Sequence, residues 1–103
     1  MYKLTVFIPE AAVESVKSAL FAVGAGKIGH YEHCCWQVSG VGQFKPLKGS
    51  SPHIGVQDTL EKVTEYRVEM VVDGAIINEV IEALKASHPY ETPAYDVIEI
   101  LDL

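Results

Sequence analysis

Two stretches of this 103-residue sequence concentrate side chains able to do chemistry. The first, "HYEHCCW", brings His30, His33, Cys34 and Cys35 close together, and imidazole and thiolate groups are the usual ligands of zinc and copper. The second, "SHPYETPAYDV" from Ser87 to Val97, carries His88, Tyr90 and Glu91, which between them can donate, accept and exchange protons. A third stretch, "GAGKIG" from Gly24 to Gly29, has the G-x-G-x-x-G spacing of turns that cradle a dinucleotide.

The elements that must position these groups follow from periodicity. "YKLTVFI" alternates Tyr2, Leu4, Val6 and Ile8 against Lys3, Thr5 and Phe7, as a strand with one face on a core does. From Pro9, suited to a first helical turn, Ala12, Val13, Val16, Ala19, Leu20 and Val23 recur at spacings of three and four, and Gly24 stops that helix. "HYEHCCWQV" reads as a second strand and "EKVTEYRVEMVVD" as a third, joined by "SGVGQFKPLKGSSPHIGVQDT", which is too long for a tight turn. Asp73 caps a second helix whose buried face is Ile76, Ile77, Val80, Ile81 and Leu84, and which ends at Pro89. "AYDVIEIL" supplies the last strand. The order βαββαβ predicts one α+β domain over residues 1–103, a ferredoxin-like sandwich with a four-stranded antiparallel sheet, both helices on one face and a long loop between the second and third strands.

That frame changes the value of each motif. The G-x-G-x-x-G stretch follows a helix and precedes a strand, the reverse of the strand-then-helix order that points a helix N-terminus at a pyrophosphate, so it reads as a helix stop and turn. If residues 30–38 form a strand, Cys34 and Trp36 face the core, whereas His33 and Cys35 share the open face, where His33 joins a polar network with Glu65 or Arg67. A metal there needs further ligands, with His88 of the second cluster the candidate in a site shared between subunits. His88 itself suits the last turn of a helix, where a cation complements the dipole, and Pro89 and Pro93 stiffen the link to the last strand. Tyr90 and Glu91 have no such local role, and on a rigid connector they can face a ligand or a neighbouring subunit. No trio of acid, base and nucleophile emerges, so the residues give no support to an enzyme.

Composition narrows the partners. Eight basic against fourteen acidic side chains give a net charge of -6, which repels a nucleic-acid backbone. No stretch approaches the roughly eighteen apolar residues of a membrane helix, and no leader pattern opens the sequence, so a cytoplasmic location is expected. The open sheet face would carry Lys3, Thr5, Phe7, Tyr31, His33, Cys35, Glu65, Arg67 and Glu69, a mixture of aromatic groups and paired charges that suits a homo-oligomer, a trimer or dimer.

The stretch "GAGKIGHYEHCCWQVSGVGQFKPLKGSSPHIG" resembles the G-x-G-x-I-G-x-Y, C-x-W, G-x-G-x-F-x-P and P-x-I-G pattern of the domain inserted into the dinuclear-metal-centre hexameric proteins, the NGG-one-interacting-factor-three-like family. "EYRVEMVV" and "HPYETPAYDV" resemble the same insert, and "HPYE" with the topology is more distantly similar to CutA and PII-type trimeric proteins. The resemblance implies a stand-alone homologue of a PII-like or CutA-like insert that caps or gates a larger assembly. It implies no metal ligands, because those of the parent proteins lie in halves that this sequence does not match. The resulting expectation is a non-catalytic binding or regulatory module with a cleft between the glycine-rich loop and the HPYE connector, using Phe44, Lys45, Lys48, His88, Tyr90 and Glu91 for a small anion or protein partner. The alternative is a CutA-like divalent metal-binding protein using His33, Cys35 and His88.

Overall fold

A computed structural model describes residues 1–103. Strand β1 (Tyr2–Pro9) leads through a short 3-10 turn into helix α1 (Val13–Ala22); strands β2 (Trp36–Phe44) and β3 (Glu61–Val72) follow; a second 3-10 turn precedes helix α2 (Ile77–Ser87), and β4 (Tyr95–Glu99) closes the sheet. All pairs are antiparallel in the order β2-β3-β1-β4, the ferredoxin-like arrangement that the periodicity predicts.

The alternation of β1 and β3 places the core. Leu4, Val6 and Ile8 of β1 and Val68, Met70 and Val72 of β3 are buried beneath Val13, Val16 and Leu20 of α1 and Val80 and Leu84 of α2. Fully burying each such side chain contributes about 1.5–3 kcal/mol, so this layer is what fixes the two helices on the sheet. Asp73 caps the 3-10 turn that leads into α2 rather than α2 itself, its carboxylate accepting from the Ala75 backbone N–H at 2.9 Å, while Ile76 at the N-cap of α2 offers no side-chain cap. Gly24, at φ +104, ends α1. No helix is long and apolar enough to cross a membrane.

The second strand departs from expectation. It begins at Trp36 rather than near His30, and it continues through Gly40 and Gly42 to Phe44. His33 at φ +59 interrupts any extended path through residues 30–35, while Ile28 and Tyr31 close a tight turn with two backbone hydrogen bonds of 2.9 Å. Gly40 and Gly42 are weak strand formers, but Glu65 and Val63 of β3 stand opposite and hold them in the ladder. Trp36 therefore lies on the open face, 58% exposed and 5.8 Å from the Arg67 guanidinium, and does not enter the core; Cys34 is half-buried in the connection. Tyr31, His33 and Cys35, by contrast, precede β2 and leave the open face, and His33 stacks on Phe21 of α1 with ring centroids 4.9 Å apart.

The β2–β3 hairpin outruns β1. The last pair of β1 joins Pro9 to Glu65, so Glu61–Thr64 pair only with Val41–Phe44 and the molecule extends to 46 × 24 × 23 Å. Residues 45–60 close on themselves at the tip, where the Asp58 N–H donates to the Pro46 carbonyl at 2.7 Å.

Candidate functional site

The hairpin loop and the connector from α2 to β4 approach each other across the open end of β1. The connector is fixed at both ends: the His88 N–H donates to the Leu84 carbonyl at 2.9 Å, and the Phe7 N–H donates to the Ala94 carbonyl at 3.1 Å. Between them His88 is buried, 6% exposed, and its ring joins two backbones. Nδ1 accepts from the Tyr90 N–H at 3.0 Å and Nε2 lies 2.8 Å from the Phe7 carbonyl. An amide N–H can only donate and a carbonyl can only accept, so the ring is the neutral tautomer with its proton on Nε2. Burial pushes the His88 pKa below the ordinary histidine value, outweighing the Phe7 carbonyl and the Glu65 charge, which act the other way; His53 adds to the depression. His88 is thus not the cation at a helix C-terminus that its position suggests: it is the extended residue after α2, at ψ 133, and serves as a neutral bridge.

That bridge orients Tyr90. Its hydroxyl donates to Glu65 Oε2 at 2.7 Å, and burial together with this hydrogen bond and the Glu65 charge raises the phenol pKa, so it stays a donor. The Glu65 carboxylate lies over Gly42, where a Cβ would collide with it. Gly42 is required for that close approach. The Tyr90 ring meets Phe44 at 5.9 Å and His53 at 6.4 Å between centroids, and Glu91 accepts from the Ser51 N–H of the loop at 3.0 Å. Together these contacts frame a cavity of about 270 Å³, with Phe7 at its base and Pro46, Pro52 and Ile54 among its apolar walls.

Of the residues named from sequence, the fold brings Phe44, Tyr90 and Glu91 together around this cavity and sets His88 directly behind it. Lys45 and Lys48 are exposed and stand outside the lining, which is acidic rather than basic. His33 and Cys35 lie in the connection before β2, His88 has both ring nitrogens engaged, and no group of three His, Cys, Asp or Glu side chains comes close enough to hold a metal ion. Glu65 and His53 were not legible as cleft residues. Glu65 carries the signal of its place on the open face and at the start of the "EYRVEMVV" stretch, and His53 that of lying in the "SSPHIG" stretch.

No family model matches the chain. It is similar to proteins named GTP cyclohydrolase 1 type 2 homolog: that of Mycobacterium tuberculosis is 44% identical over 99 residues, 96% of this chain and 26% of the relative, and that of Bacillus subtilis is 45% identical over 98 residues, 95% and 26%. The chain spans about a quarter of the length of these relatives. Among solved structures, a Bacillus cereus protein related to NIF3 superposes with a TM-score of 0.79 at 40% identity, over 93% of this chain and 24% of that one. The periplasmic divalent cation tolerance protein CutA from Archaeoglobus fulgidus gives a TM-score of 0.68 at 19% identity, over 97% and 84%, a likeness of fold.

Proposed function

Since the chain is homologous to one segment of the NIF3-related proteins and shares the fold of CutA, we propose that it is a non-catalytic binding module whose ligand cleft lies between the β2–β3 loop and the α2–β4 connector. One observation carries this reading: Phe44 and Tyr90, distant in sequence, meet at an apolar cavity whose acidic and aromatic groups are already oriented by His88 and Glu65. Such preformed concave sites, with an apolar lining and a few placed polar groups, are what small ligands use. The cyclohydrolase name belongs to proteins of which this chain matches 26%, and this reading carries over no reaction from them.

Phe44→Ala tests the cleft. Removing one aromatic wall should weaken binding of an aryl probe about tenfold while lowering folding stability by no more than about 1 kcal/mol, because Phe44 sits at the end of a strand outside the core. Loss of several kcal/mol, read from urea unfolding, would instead assign the ring to packing.

The open sheet face favours self-association as the second part of the reading. Trp36, Val38 and Ile98 stand exposed there, beside the Arg67–Glu69 ion pair of 3.2 Å and the Lys3–Glu69 pair of 3.5 Å. An apolar patch with paired charges is self-complementary across a symmetry axis, and a trimer or dimer would bury it. Light scattering should give a mass above one chain, and Trp36→Glu should return it to one. A native protein that stays monomeric at millimolar concentration contradicts this part.

A further inference from the structure

The lining of the cleft selects a class of ligand. Of its 13 residues two are glutamates and one is a histidine, His53, and none is lysine or arginine. The nearest guanidinium on the open face, that of Arg67, is engaged by Glu69 and lies over Trp36. Glu65 commits Oε2 to the Tyr90 hydroxyl and Glu91 commits Oε2 to the Ser51 N–H, which leaves the second oxygen of each carboxylate with lone pairs for a donor. Behind the Tyr90 ring His88 is neutral by its hydrogen bonding, so no positive charge stands there to repel a cation. Tyr90 and Phe44 add two rings whose faces attract positive charge, and Phe7, Pro46 and Ile54 supply apolar wall for the body of a ligand.

Resting on the cleft reading above, we infer that the ligand is an organic cation: an ammonium, amidinium or guanidinium head that bonds to Glu65 and Glu91, carried on a small apolar or aryl body packed against Phe44 and Tyr90. An anion of the same shape meets two carboxylates with no lysine or arginine in the lining to offset them. A neutral isostere keeps the apolar contact and loses the charge-assisted hydrogen bonds, which are the stronger ones.

Three near-isosteric probes separate these cases: benzamidinium, benzamide and benzoate, titrated into the full chain while the NMR resonances of Phe44, Tyr90 and Thr92 are followed. Benzamidinium should bind at least about tenfold more tightly than benzamide, with benzoate weakest. Glu91→Gln, which keeps an oxygen for the Ser51 N–H, should bring the affinity for benzamidinium to within about threefold of that for benzamide. Equal affinity for benzamide and benzamidinium, tighter binding of benzoate, or a benzamidinium affinity indifferent to Glu91→Gln overturns the cationic class and leaves the cleft as a site. If none of the three moves those resonances, the cleft reading falls and the inference falls with it.

Discussion

His88→Ala is expected to destabilise the fold by about 2–4 kcal/mol, the sum of a small cavity and two backbone groups losing their partner. The magnitude follows from what the ring does. It is 6% exposed, accepts the Tyr90 N–H and donates to the Phe7 carbonyl, so alanine leaves both groups unpaired at the point where the connector crosses β1. Tyr90 should then lose its fixed orientation and with it the hydroxyl contact to Glu65. Chemical denaturation measures the cost, and a loss below about 0.5 kcal/mol, the range of an ordinary surface substitution, would contradict the bridging role.

The same residue sets a pH dependence. Its pKa in the folded protein lies below the ordinary value of 6.5, so between the two values the unfolded chain binds more protons than the native one. The stabilisation is therefore complete above about pH 6.5 and is lost as pH falls through the lower folded value. Protonation would place an N–H on Nδ1 against the Tyr90 N–H, replacing a hydrogen bond with a clash of donors. Native protein should lose more stability between pH 7 and pH 5 than His88→Ala does. Parallel pH profiles for the two would refute the assignment.

Gly26→Ala is expected to cost about 2–5 kcal/mol, from the left-handed backbone and from overpacking together. Gly26 sits at φ +77, and a Cβ there would stand 2.7 Å from the Cys34 carbonyl oxygen and 2.9 Å from the Phe21 ring. The backbone cannot move away, because the Gly26 N–H donates to the Val71 carbonyl at 2.8 Å and its own carbonyl accepts from the Cys34 N–H at 2.8 Å. This glycine pins the turn after α1 to the end of β3 and sets the direction in which the chain enters β2. Gly29, also at positive φ but with open space around it, gives the control: Gly29→Ala should cost only the backbone strain, about 1–2 kcal/mol. Equal effects at the two sites would mean that close packing at Gly26 contributes nothing.

The two glycines show how differently the same motif residue can act. In "GAGKIG" all three glycines adopt positive φ, yet only the second is trapped between a strand and a carbonyl. Spacing alone does not distinguish them. The motif's orientation, helix before and strand after, already argues against a nucleotide turn, and the fold agrees, since Gly24 ends α1 and Gly26 bonds to β3.

The residues by themselves determined the element order, the core face of β1 and β3 and the sheet topology. Burial repeats every second residue in a strand and every third or fourth in a helix, and that signal is local to each segment. Leu4, Val6, Ile8, Val68, Met70 and Val72 could be read this way because their neighbours alternate cleanly. Tertiary structure alone decided where β2 begins and what the second cluster does. The glycines of β2 carry almost no strand preference, and β3 supplied the reason for them to pair, moving Trp36 out of the core and His33 and Cys35 off the sheet. His88 looked like a helix-end cation until the Phe7 carbonyl and the Tyr90 N–H took its two nitrogens. Glu65 and His53 joined Phe44, Tyr90 and Glu91 only when a long hairpin folded its tip onto the connector, a contact between segments that no local period encodes.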